Sequence, residues 1–239
     1  MGANFCPKST GGIQEMISVA IAAAGNSTRF GGNKMLSLIK GEPVLVRTIT
    51  QFSRSKNVEE IVIAAREEEI ETYKKLMAKA KLKAKIVKGG PERIISAYNA
   101  AKATKGDFII THDGNRPLTP VWLIDKLIEE TKKYGAVIPA ISPTATIKYV
   151  ENFLIKESFL REKTLIAQTP QGFRRELILK AYKKAIKEKY FIPTDDSELV
   201  TRLGVKVKII LGDLVNIKIT TPLDLVIAEQ LFESLDKNV

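Results

Sequence analysis

Residues 18–34 read SVAIAAAGNSTRFGGNK. The first six are apolar, shrink to alanine, and run without a break into a glycine-bearing loop. That is the pattern of a short buried strand whose carboxyl end feeds a binding loop. In an open α/β sheet, ligands sit outside the carboxyl ends of the strands. Gly25 lets backbone N–H groups approach an anion closely. Ala23 and Ala24 leave room for a base or ribose, and Arg29 and Lys34 can neutralise phosphate charge. The loop fits neither G-x-x-x-x-G-K-[ST] nor G-x-G-x-x-G. It is therefore neither a kinase-type P-loop nor a dinucleotide fingerprint.

Outward from this stretch, strand and helix alternate. Periodicity predicts a helix over 43–52, a strand over 60–64, a helix over 69–81, a strand over 83–88 and a helix over 92–102. A strand over 108–112, a helix over 120–134 opened by proline, and a strand over 136–140 follow. The C-terminal part predicts a helix over 175–187, strands over 205–211 and 216–219, and a helix over 222–233. Short links between such elements give an α/β fold, a mostly parallel sheet with helices on both faces. Residues 144–165, TATIKYVENFLIKESFLREKTL, break the rhythm. Alternating segments around Glu151 and Asn152 predict a projecting β-hairpin arm over about 142–166. A lone hairpin is marginal in water, so the arm is expected to pack on a second subunit and make a homodimer.

The chain has 239 residues. It reads as a disordered tail over 1–15 and one domain over 16–239 that carries the arm. The tail is polar and lacks the apolar stretch of a secretory signal, with Met16 an alternative start. Cys6, the only cysteine, lies in the tail, so no disulfide framework exists and a reducing cytoplasm is expected. No apolar run is long enough to span a bilayer, so no membrane is expected as a partner. The formal net charge is +11, but lysine is interleaved with glutamate along helices and no basic run alternates with aromatics. That is a solvated helical surface, and no nucleic-acid partner is expected.

Further motifs lie at the predicted strand ends: GGPERIIS (89–96), THDGNRP (111–117), TIK (146–148), AQTPQGF (167–173), TDDS (194–197) and NIKITTPLDL (216–225). A carboxylate such as Asp113 at a strand end can meet a Mg²⁺ that bridges phosphates. His112, the only histidine, invites a general-base role. A phosphate nucleophile is already ionised near neutral pH and needs no base, so His112 is read as structural. Asp195 and Asp196 read as helix caps, and Asp224 as a first-turn acid.

The loop 23–34 resembles the signature loop of nucleotidyltransferases with a Rossmann-like fold. The ordered set of motifs, over about residues 18–232, resembles the 2-C-methyl-D-erythritol 4-phosphate cytidylyltransferases of non-mevalonate isoprenoid biosynthesis. The resemblance implies attack of a polyol phosphate on the α-phosphorus of CTP, with Mg²⁺ or another divalent cation as cofactor. It implies catalytic roles for Arg29, Lys34 and Lys218. It places Ala23, Ala24, Gly25, Gly89, Gly90, Ser96 and Asp113 on the nucleotide, with Asp113 also on the metal. It places Arg116, Thr146, Arg161 and Thr169 on the acceptor, with Thr169 meeting its phosphate and Arg161 reaching the neighbouring subunit's substrate. Three places depart from the family pattern. The loop between Arg29 and Lys34 is short, as in molybdenum-cofactor cytidylyltransferases. Gly114 and Asn115 stand for two alanines, which sets a polar side chain beside the expected nucleotide. Ala145 stands for an aspartate of the expected polyol site. Two alternatives stay open: a cytidylyltransferase for another polyol phosphate such as ribitol 5-phosphate, and a non-catalytic nucleotide-binding paralogue.

Overall fold

A computed structural model describes residues 15–25 and 30–236 of the protein. The predicted tail, apart from Glu15, and Arg29 lie outside them.

The strands are β1 (Ile17–Ala22), β2 (Leu38–Ile39), β3 (Glu42–Pro43), β4 (Glu60–Ala65), β5 (Lys85–Lys88), β6 (Phe108–Asp113), β7 (Ala136–Ile141), β8 (Lys148–Glu151), β9 (Leu154–Ser158), β10 (Ile166–Ala167), β11 (Gln171–Arg174) and β12 (Lys208–Leu211). The helices are α1 (Val44–Arg54), α2 (Ile70–Lys79), α3 (Arg93–Ala103), α4 (Val121–Tyr134), α5 (Arg175–Lys187), α6 (Asp196–Thr201) and α7 (Pro222–Asp236). The main sheet runs β5-β4-β1-β6-β11-β7, with β10 and β12 also on β7. The β1, β4, β5 and β6 pairings are parallel, as is β12 with β7. β11 is antiparallel to both of its neighbours, and β10 is antiparallel to β7.

Alternation along the strands feeds two cores. Ile17, Val19 and Ile21 of β1 meet Leu45, Ile49 and Phe52 of α1, Tyr73 of α2 and Leu127 of α4. Ala20 of β1 and Ile109 of β6 face the other side, against Ala97 and Ala100 of α3 and Ile178 and Tyr182 of α5. Each fully buried aliphatic or aromatic side chain contributes roughly 1.5–3 kcal/mol. Helix ends follow local chemistry. Gly135, left-handed at φ 79°, closes α4 by donating its N–H to the Thr131 carbonyl at 2.8 Å. Asp195 caps α6 by accepting the Glu198 N–H at 2.9 Å. Asp224 accepts the N–H groups of Thr220 and Thr221 at the start of α7.

Two sequence expectations need correction. Residues 216–219 form no strand, because their polar groups bond to side chains and turns where a ladder would need a paired neighbour. Residues 171–174, read only as a motif, form β11, which inserts between β6 and β7. The hairpin is present as β8 and β9, shorter than the expected arm, and its nine strand residues are exposed. Glu151 pairs with Leu154, so the turn centres on Asn152 and Phe153, one residue beyond the expected pair. Both have positive φ, 50° and 61°, as a type I′ turn demands.

Candidate active site

The parallel register sets the site. Ala22 of β1 lies level with Ala64 of β4 and Asp113 of β6, and Ala65 of β4 with Lys88 of β5. The carboxyl ends of four strands therefore open at one edge, carrying Ala23, Gly89 and Asp113. The antiparallel β11 starts at the same edge, since Gln171 pairs with Thr111. This places Thr169 there. β12 ends beside Ala140, so the segment after it brings Lys218 to the same edge.

Where the loops after β1 and β5 meet, Ala23 is buried and donates its N–H to the Ala64 carbonyl at 2.9 Å. The Gly89 N–H meets the Ala65 carbonyl at 2.8 Å. A Cβ at Gly89 would stand 2.7 Å from the Ala24 Cβ and 2.9 Å from the Ser96 Oγ. A Cβ at Gly90 would stand 2.2 Å from the Ile95 Cγ2. Both glycines are thus required by close approach. Ser96 Oγ accepts the Gly90 N–H at 3.0 Å, which shapes the β5–α3 loop. Gly25 is exposed where the loop leaves β1. Lys34 is half-buried in a turn built by its neighbour. Asn33 accepts the Met35 N–H at 3.1 Å and donates its amide to Glu69. Glu69 is buried and bonded to Arg66 at 2.5 Å and to the Tyr73 hydroxyl at 3.0 Å.

The charged centre is Asp113. One carboxylate oxygen lies 3.2 Å from Arg93, and the other lies 2.8 Å from Lys218 and 3.7 Å from the Arg116 Nε. Burial pushes the Asp113 carboxyl up, but Arg93, Lys218 and Arg116 together hold it well below the usual carboxylate range. Arg93 also pairs with Asp196 at 3.4 Å. Asp196 is buried inside α6, so only Asp195 of the two expected caps does that work. Arg93, Asp113, Arg116, Thr169, Gln171 and Lys218 line one pocket. Among the described residues, no three His, Cys, Asp or Glu side chains converge as a metal site. The donor set still suits Mg²⁺, which takes one or two carboxylates and completes its shell with waters and phosphates. Ionised Asp113 would be that carboxylate.

Behind the pocket, fully buried Asn216 joins three segments. Its carbonyl accepts from Arg116 at 2.7 Å, its amide donates to the Thr169 carbonyl at 2.8 Å, and its Oδ1 accepts the Thr119 hydroxyl at 2.9 Å. Gln168 bonds both the N–H and the carbonyl of Asp213. His112 is buried, edge-on to Phe52 with ring centroids 4.8 Å apart, and burial lowers its pKa to about 3. It is thus held neutral, in line with a structural reading and against a base.

The structure brings Asp113, Arg116, Thr169 and Lys218 together. It places Ala23, Ala24, Gly89, Gly90 and Ser96 at one junction beside them. Thr146 and Arg161 share a second pocket at the base of the hairpin, with Ala145 and Phe159, apart from the Asp113 pocket. Asn115 corrects one expectation. Its side chain is buried and its amide is bonded to the Ile219 carbonyl, so it ties down the C-terminal segment and is not among the residues that line the Asp113 pocket. Arg93, Asn216 and Glu69 escaped selection from sequence. Arg93 and Asn216 lie inside quoted motifs, but nothing local shows what they touch.

A Rossmann-like sheet with a glycine-shaped junction and a cation-rich pocket at its strand ends suits the binding of phosphate-bearing ligands, and the family match makes the chain a nucleotidyltransferase. The family model described as IspD, 2-C-methyl-D-erythritol 4-phosphate cytidylyltransferase, matches residues 17–234, and the chain belongs to that family. It is 39% identical over 219 residues to the 2-C-methyl-D-erythritol 4-phosphate cytidylyltransferase of Bacillus mycoides, covering 90% of this chain and 96% of that protein. The protein of the same name from Dictyoglomus thermophilum is 41% identical, with 88% and 94% covered. The crystal structure of 4-diphosphocytidyl-2C-methyl-D-erythritol synthase from Anaerococcus prevotii superposes with a TM-score of 0.83 at 30% identity, covering 92% of this chain and 97% of that one. No helix among the described residues is long and apolar enough to cross a membrane.

Proposed function

We propose that the protein transfers CMP from CTP to 2-C-methyl-D-erythritol 4-phosphate, in isoprenoid biosynthesis. The family membership and the Asp113 pocket carry this reading. A phosphate oxygen of the acceptor attacks the CTP α-phosphorus. The new P–O bond forms as the bond to the bridging oxygen breaks, and pyrophosphate leaves with that electron pair. The attacking phosphate is already ionised, so positioning and charge neutralisation do the chemistry.

Ala23, Ala24, Gly25, Gly89, Gly90 and Ser96 hold the nucleotide, with the Gly25 backbone at its phosphates. Arg29 and Lys34 hold the triphosphate. Arg116 and Thr169 hold the acceptor. Asp113 would carry the Mg²⁺, which neutralises phosphate charge when bound. Lys218, 2.8 Å from the Asp113 carboxylate, meets a phosphate oxygen. Thr146 and Arg161 serve the neighbouring subunit of a homodimer, joined through the exposed hairpin, in the cytoplasm. Their separate pocket supports a role across the interface.

The test is purified protein with CTP, 2-C-methyl-D-erythritol 4-phosphate and Mg²⁺, read as pyrophosphate release. No CTP-dependent release above background overturns the reading. Because Ala145 lines the hairpin-base pocket, the assay includes ribitol 5-phosphate, and preference for it would reassign the acceptor.

A further inference from the structure

The hydrogen-bond chain behind the pocket has one self-consistent direction. The Thr169 carbonyl can only accept, so the Asn216 group 2.8 Å away is its NH₂. The Asn216 Oδ1 therefore faces Thr119, whose hydroxyl lies 2.9 Å from it and 3.1 Å from the Arg116 carbonyl. Both are acceptors, and either takes the single Thr119 hydrogen. The Thr119 oxygen must then accept from His112 Nε2 at 3.3 Å, so Nε2 carries the ring proton. Nδ1 of the neutral ring is left as an acceptor, and its partner at 2.9 Å is the Thr169 hydroxyl. The Thr169 oxygen in turn accepts the Asp113 N–H at 3.3 Å. Its hydrogen is spent inward, and one lone pair remains.

We infer that His112 is a positioning residue that fixes Thr169 as a hydrogen-bond acceptor, directed at a hydroxyl of the acceptor polyol. Phosphate oxygens near neutral pH offer lone pairs and little to donate, so a locked Thr169 does not bond them. A polyol hydroxyl can donate to it. This rests on Thr169 lining the acceptor site, as proposed above, and assigns it a different part of that substrate.

His112 is the only histidine, so [¹⁵N]histidine labelling gives one imidazole spectrum. The expected spectrum shows a protonated Nε2 and an unprotonated Nδ1; a protonated Nδ1 overturns the inference. This readout needs no activity, so it stands apart from the assay that tests the function itself. In kinetics, His112→Gln removes the Nδ1 partner and is expected to raise the acceptor KM about tenfold with the CTP KM unchanged. His112→Asn, which keeps a polar atom near the Nδ1 position, is expected to restore most of it. Equal changes for both substrates in both variants would mean packing alone. Thr169→Val is expected to cost about tenfold with the full acceptor and nothing with one of its deoxy analogues. The same loss with every deoxy analogue returns Thr169 to the phosphate and overturns the inference.

Discussion

Asp113 stays ionised because three cations outweigh its burial, and each comes from a different stretch of chain. Lys34 sits on a turn that Asn33 and Glu69 hold. The charge that Lys34 is proposed to meet grows as pyrophosphate departs. Lys34→Ala should therefore lower kcat by about 10²–10³-fold while CTP affinity falls much less. Equal turnover in mutant and wild type would remove Lys34 from the chemistry. His112 sets a pH dependence of stability. Its folded pKa of about 3 lies below its ordinary 6.5. The unfolded chain thus takes up a proton below pH 6.5 that the folded chain refuses until about pH 3. Stability is full above pH 6.5 and falls as pH drops through that window, by about 2 kcal/mol between pH 6.5 and 5. Denaturant midpoints at pH 7.5 and 5 measure it, and His112→Asn should flatten the difference.

At the scale of elements, the loops after β1 and β5 meet at the proposed nucleoside site. The chain after each strand passes the other with no room for a Cβ at Gly89, against Ala24 and Ser96. Gly89→Ala must push the two loops apart. We expect the CTP KM to rise about tenfold or more while the acceptor KM moves little. Unchanged CTP kinetics would show that the junction yields without cost. By contrast, Gly114 has contacts no closer than 3.3 Å to an added Cβ, so the departure there from the family's alanine has a packing reason only in part.

For the whole molecule, the hairpin is the open question that its surface answers. Phe153, Leu154 and Ile155 are exposed at its tip, and no strand of it pairs with the main sheet. Apolar surface of this kind supports the proposed dimer interface. Sedimentation is expected to give a dimer, and Phe153→Asp should shift it toward monomer and reduce activity, since Arg161 would lose its neighbour. A monomeric wild type with full activity would refute the dimer. The sequence by itself determined the alternation of strand and helix, the parallel half of the sheet and the motifs at the strand ends, because hydrophobic period and turn chemistry are local. It also singled out Asp113, Arg116, Thr169 and Lys218, which the structure brings into one pocket. Only the tertiary structure decided that 171–174 is an antiparallel strand and that 216–219 is not a strand. It alone showed Asn115 turned to Ile219, Arg93 bridging Asp113 and Asp196, and Asn216 joining Arg116, Thr119 and Thr169. These depend on which strand ends meet and where buried polar groups find partners, and no window of sequence holds residues that lie a hundred positions apart.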